Sequence, residues 1–363
     1  MERILSQTDF NNLAEDVSNW FSKMKVKETS YGRFRMSKSA YHAFSLDASS
    51  LAADLCYMLA IQTTEAEKDE QANFFNDLQA TETGFYHEPF INELEKLQIN
   101  RVVEMSGTYF GFQLCGALEV IDRLPRYPFR FYEFTLRKSA ITEYLETKFP
   151  WNHSPWGAGG WIDSIATMLR MNIKMGYKEY QLPLEEMIEW LQENQNPETG
   201  LWGNLDSPKG LTGLVNGGYH ILRGTFFQMN MDIPYPERII DACINVYKEN
   251  DYFKPGNGEG CHDLDLFDLM LQASKYSPAY KKEEISRICE ERFSEILSFQ
   301  NKDGAFSFFP HKAQTEHNYY KISPGKEESD MQGTVFYMQT LKRISEHLGI
   351  TFNIKRSKTH GYA

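Results

Sequence analysis

The chain has 363 residues, 41% of them hydrophobic and 14% aromatic (25 Phe, 20 Tyr), with a formal net charge of −12. That apolar content supports an extensive core, and an acidic balance without a Lys/Arg block argues against a nucleic-acid partner. No window offers the roughly 18 apolar residues of a membrane span, and the N-terminal MERILSQTDFNN lacks a basic region followed by an apolar run. The five cysteines (Cys56, Cys115, Cys243, Cys261, Cys289) are odd in number and scattered, so a cytoplasmic protein with reduced thiols is expected.

In chain order, charged stretches with apolar positions three and four apart alternate with less charged stretches, of which GTYFGFQLCGALEVI and GWIDSIATMLRMNI are apolar almost all round. The first kind spans 8–24, 66–79, 134–147, 183–194, 235–249 and 281–299. In LPLEEMIEWLQEN, for example, Leu184, Met187, Ile188 and Leu191 form one stripe. The second kind spans 46–62, 107–121, 161–174, 214–229, 264–275 and 330–348. Gly- or Trp-rich loops join them near Gly32, Gly84, Trp151–Trp161, Gly200, Gly256–Gly260 and Gly304. Six outer and six inner helices in alternation predict an all-α fold, an (α/α)6 barrel formed as a single domain over 1–363. FRFYEF stays open between a brief strand and a loop. Such a barrel gathers all six outer-to-inner loops at one end. The inner-helix N-termini there bring unpaired N–H groups and a positive bias suited to an anionic ligand group, and barrel mouths are default ligand sites.

Three segments repeat a short pattern: Gln79-x4-Gly84-Phe85-Tyr86, Gln195-x4-Gly200-Leu201-Trp202 and Gln300-x3-Gly304-Ala305-Phe306. Glycine permits a left-handed turn after the outer helix, and the following aromatic plugs between neighbouring repeats. Gln-x4-Gly-x-Trp at Gln195–Trp202 resembles the QW motif of squalene and hopene cyclases, and its surroundings are similar to the repeats of protein prenyltransferase β subunits. The resemblance implies the terpenoid cyclase/prenyltransferase α-toroid superfamily, with an isoprenoid-like substrate in an aromatic-lined cavity. The family's zinc set is altered, with Asn216 and Gly218 where Asp and Cys are expected. DxDD is reduced to Asp263-Leu264-Asp265-Leu266. No metal or other cofactor is expected.

Polar residues concentrate at Glu259, Cys261, His262, Asp263, Asp265 and Asp268, at the start of the fifth inner helix. Asp265 is expected as proton donor or base because its neighbours Leu264, Leu266, Phe267, Leu269 and Met270 are apolar. Asp263, placed to cap the helix, and Glu259 are expected to tune it. Cys261 and His262 also have metal-ligand character, for which His220 or His153 would have to join. Trp156, Trp161, Asp163, Trp202, Asn216, Tyr219, His220, His262, Asp268 and Asp330 are candidate substrate contacts, with Glu88, Tyr109, Arg223 and Thr334 nearby. His311 and His317, on a polar loop, are expected to face solvent. Two alternatives stand beside the isoprenoid reading. One is a carbohydrate-active glycosidase or lyase in which Trp156-Gly-x-Gly-Gly-Trp161 is a sugar platform and Asp163 with Asp265 the carboxylate pair. The other is a non-catalytic small-molecule-binding toroid.

Overall fold

The computed structural model describes residues 7–27, 29–90, 100–317 and 320–359; the first residues of the N-terminal segment read above for a signal lie outside them. Twelve α-helices are described there: α1 Gln7–Ser22, α2 Leu46–Met58, α3 Glu65–Asn76, α4 Asn100–Val120, α5 Ala140–Lys148, α6 Pro155–Lys174, α7 Gln181–Glu193, α8 Gly210–Leu222, α9 Pro236–Glu249, α10 Gly260–Ser274, α11 Lys282–Ser298 and α12 Met331–His347. The even-numbered helices pack each on the next, and α12 returns to α2, which closes an inner ring. The odd-numbered helices form the outer layer. The fold is an all-α toroid, as the alternation of charged and apolar stretches predicts.

Burial follows composition. Along α10 every residue from His262 to Ala273 is buried, whereas α7 buries one stripe, Pro183, Leu184, Met187, Ile188 and Leu191. FRFYEF forms a 3-10 turn over Arg130–Leu136 rather than a strand. Its rings pack in a local cluster in which Phe131 meets Phe85 at 4.8 Å and Tyr132 at 5.2 Å. The described strands are one short antiparallel pair, Glu316–His317 with Tyr320–Lys321.

The Gln-Gly-aromatic repeat works as a staple. Gln79 Nε2 donates to Gly84 O and to Tyr127 O, each at 2.8 Å, and its Oε1 accepts from Tyr127 N. Gln195 Nε2 donates to Gly200 O at 2.7 Å and to Pro234 O at 3.3 Å. Gln300 Nε2 donates to Gly304 O at 3.1 Å and to Asp16 Oδ2 of α1 at 3.4 Å. Each glutamine therefore closes its own turn and ties it to the next outer segment; the third tie joins the last repeat to the first. The glycines have φ of 79°, 69° and 104°. A side chain at Gly84 would also strike Pro128 O at 2.3 Å. Tyr86, Trp202 and Phe306 are buried, and Trp202 Nε1 donates to Leu191 O at 2.8 Å.

Two details position the site. Helices α6 and α8 meet backbone to backbone: a Cβ on Gly159 would lie 2.2 Å from Gly217 O, and one on Gly217 would lie 2.4 Å from Pro155 O. Helix α8 then widens into a π-turn over Arg223–Phe227, a local irregularity often found at functional sites.

Candidate active site

The N-terminal halves of α6, α10 and α12, the middles of α2 and α4 and the far end of α8 enclose a cavity of about 650 Å³. Trp156, Trp161, Phe112 and Phe308 supply flat apolar faces, and Gln113, Gln314, Gln332 and Gln339 supply amides. The Oε1 atoms of Gln113, Gln314 and Gln332 are buried without a hydrogen-bond partner. Helix N-termini at this end are partly closed by the chain's own side chains. Ser45 accepts from Ala48 N, Ser154 from Gly157 N, and Asp330 Oδ1 from Gly333 N at 2.7 Å.

On one wall His220 stands between two carboxyls. Its Nδ1 lies 3.1 Å from Asp163 Oδ2, and its Nε2 lies 3.9 Å from Asp265 Oδ2. Asp163 is fully buried and also pairs with Arg223, whose Nη1 donates to the Tyr219 hydroxyl at 3.1 Å. This pairing fixes the imidazole by its Nδ1 and directs Nε2 toward Asp265, the arrangement by which an acid orients a general base. Burial pushes the Asp265 carboxyl well above the usual carboxylate range. Arg223 partly offsets that, and Glu259, Asp163 and Asp268 add to it. A carboxyl shifted in this direction favours its protonated form, the form that can donate a proton.

A second imidazole faces the cavity from the opposite side of the ring. His317 Nδ1 is bonded to the buried Asp47, which also accepts from Gln113 Nε2 at 2.9 Å. The Tyr109 ring meets His317 edge-on at 4.9 Å. The expectation that His317 faces solvent is therefore corrected: the short hairpin folds it over the mouth, where Asp47 holds it. His311 is exposed as expected, with Nδ1 at 3.1 Å from Asn301 Oδ1. Below the second dyad, Glu88 is buried against Leu46 N at 2.8 Å, and burial raises its carboxyl to about 8.

The remaining candidates divide by direction along their helices. Glu259, Cys261, Trp156, Trp161, Tyr219 and His220 line the cavity with Asp265. Asp263 does not cap α10, because the helix begins at Gly260 and Glu259 takes the capping position. It points outward and is held by Arg292 Nε at 2.6 Å and Nη2 at 2.8 Å. Asp268 forms an ion pair with Arg343 at 2.6 Å. Trp202 sits in the inter-repeat core away from the cavity, and Thr334 bonds the backbone of Phe306. Asn216 contacts His262 at 2.7 Å. Asp330 is a helix cap that also accepts from Phe308 N and Gln314 N, its carboxyl raised to about 6 by burial. His153 is exposed and does not line the cavity with Cys261.

No sequence model of a protein family matches the chain, and no curated protein matches it. Among solved structures it is similar to a polysaccharide lyase, with TM-score 0.48 and 11% identity over 93% of this chain and 97% of that one. It is also similar to the GH76A α-1,6-mannanase of Salegentibacter sp. HEL1_6, with TM-score 0.47 and 12% identity over 93% of this chain and 100% of that one. Neither is a terpenoid cyclase or a prenyltransferase. The implied terpenoid membership and isoprenoid substrate are corrected accordingly. The site offers the physical reason, since one acid of the partial DxDD is bound to Arg292 and the cavity is lined by amides and imidazoles as well as rings.

Proposed function

We propose that this chain, acting as one toroid domain, is an enzyme that cleaves glycosidic bonds in an oligosaccharide bound in the central cavity. The observation that carries this reading is the cavity lining. Bare amide oxygens of Gln113, Gln314 and Gln332 suit a ligand rich in hydroxyl donors, and the Trp156 and Trp161 faces suit the C–H faces of sugar rings. Beside them stand the groups for proton transfer. In the leading form of the reaction, β-elimination from a uronic acid residue, an imidazole Nε2 takes the proton α to the carboxylate. The C–H electrons form the new C=C bond, the C–O bond to the leaving sugar breaks, and Asp265 gives its proton to that oxygen. Lys209 and the positively biased helix ends favour the uronate charge.

A second reading, hydrolysis, is favoured by one observation: Glu259 and Asp265 both line the cavity and both carboxyls are raised by burial. Incubation with a panel of neutral and uronate-bearing oligosaccharides separates the two. Elimination yields an ultraviolet-absorbing unsaturated sugar, hydrolysis yields new reducing ends without that absorbance, and binding with neither product leaves a non-catalytic toroid. The five unpaired thiols, four of them buried, support a reducing, cytoplasmic setting. Among the described residues no helix is long and apolar enough to cross a membrane.

A further inference from the structure

At the first turn of α10, three side chains converge that the proton-transfer scheme above does not require. Cys261 Sγ lies 3.3 Å from Glu259 Oε1, and His262 Nε2 lies 3.9 Å from Glu259 Oε2. One donor atom from each of the three can be chosen so that all lie within 4.8 Å of one another. The His262 ring is only 1% exposed and is stacked on Tyr252 at 4.0 Å. Its Nε2 has no hydrogen-bond partner although it points into this group. A buried ring nitrogen without a partner is costly unless something is meant to meet it.

We infer that Glu259, Cys261 and His262 form a site for a divalent cation with zinc-like preferences. A thiolate and an imidazole select a borderline ion over magnesium or calcium. A tetrahedral zinc with bonds of about 2.0–2.3 Å holds its donors about 3.3–3.8 Å apart, so small side-chain rotations close the observed group. Charge also balances: a 2+ ion, a thiolate, a carboxylate and a neutral imidazole sum to zero in a buried pocket. That imidazole is the buried ring of His262. Its other nitrogen, Nδ1, is met by the Asn216 amide at 2.7 Å. Turning that amide end for end lets its oxygen accept Nδ1–H and leaves Nε2 as the ligand, the usual outer support of a metal-bound histidine. Glu259 and Cys261 line the cavity, so the fourth position opens toward it, as in metal sites that bind water or substrate. Such a site would occupy Glu259 and remove it from a hydrolytic carboxylate pair.

The test reads metal binding and not turnover, so its failure is distinct from failure of the glycan reading. Protein stripped with a chelator is titrated with Zn²⁺ and with Co²⁺. One ion per chain is expected, with a thiolate-to-cobalt charge-transfer band that Cys261→Ser abolishes and Cys243→Ser retains. Glu259→Gln and His262→Ala should each weaken binding at least tenfold. In the unmutated chain, Zn²⁺ should slow alkylation of Cys261, a measurement that needs no variant to fold. Absence of a stoichiometric ion, a band that survives Cys261→Ser, or alkylation of Cys261 unaffected by Zn²⁺ would overturn the site.

Discussion

The faces of α10 turned away from the cavity and toward it carry the same residue under different conditions. Asp263 and Asp268 face away from the cavity, and each meets a guanidinium, Arg292 and Arg343 respectively. Asp265, between them in sequence, meets the edge of an imidazole at 3.9 Å. Burial pushes all three carboxyls up. Burial alone therefore does not separate structure from chemistry. The separation comes from compensation: a guanidinium in direct contact with the carboxylate makes an ion pair, whereas Asp265 feels Arg223 only at longer range and is left to exchange a proton.

The sharpest way to break this contrast is Asp265→Asn. On a cleaved oligosaccharide, turnover should fall about 10²–10⁴-fold, the usual span for a proton-transfer group, while the melting temperature stays near that of the unmutated chain. Retained turnover would end the role given to the face turned toward the cavity. On the outward face the effect should be on stability. Arg292→Met leaves Asp263 buried and uncompensated and should cost about 3–5 kcal/mol in a urea melt. The double change Asp263→Asn with Arg292→Met should restore most of that loss.

Glu88 offers an intermediate case, a buried carboxyl compensated by hydrogen bonds, chiefly from the backbone N–H groups of Leu46 and Asp47, rather than by a guanidinium. Its folded value of about 8 lies above the ordinary 4.5, so the native state keeps a proton that the unfolded chain releases. Stability should therefore fall as pH rises between those values, by up to about 1.4 kcal/mol per pH unit. Glu88→Gln should flatten that slope in denaturant melts across the range; an unchanged slope would mean another group sets it. The smallest effect is expected where no charge is involved. Gln195→Ala removes two neutral hydrogen bonds and should cost about 1–2 kcal/mol, with turnover per folded molecule unchanged.

The helices and their alternation are legible in the sequence because periodicity is local, and so is the oddity of Asp265 in an apolar strip. The partners are not legible. His317 reaches Asp47 across 270 positions, and nothing in its polar loop signals that contact. Arg292 sits in the pattern of an ordinary amphipathic helix and Arg343 in the charged C-terminal part of an inner one, so the sequence does not mark the two acids they compensate. Asp263 reads as a cap because the apolar run begins at Leu264, whereas the helix starts four residues earlier at Gly260. The glutamines of the cavity carry no charge and no motif. The Gln-Gly-aromatic repeat misleads about chemistry because its hydrogen bonds are spent on joining repeats.

The π-turn at Arg223–Phe227 makes residue count, and not only residue type, a variable of this cavity. A π-turn holds one residue more than the α-helical turn it replaces. Because the widened turn already absorbs its extra residue, removing Thr225 would let α8 continue in regular geometry with the side chains on either side of the turn close to their present places. Phe226, buried against Trp202, would stay near its seat, and His220, which precedes the turn, would keep its place beside Asp163, so the change would fall on the turn that carries Arg223. A single deletion thus probes the widened turn beside the proposed site apart from the packing behind it, a change in length that no substitution reproduces.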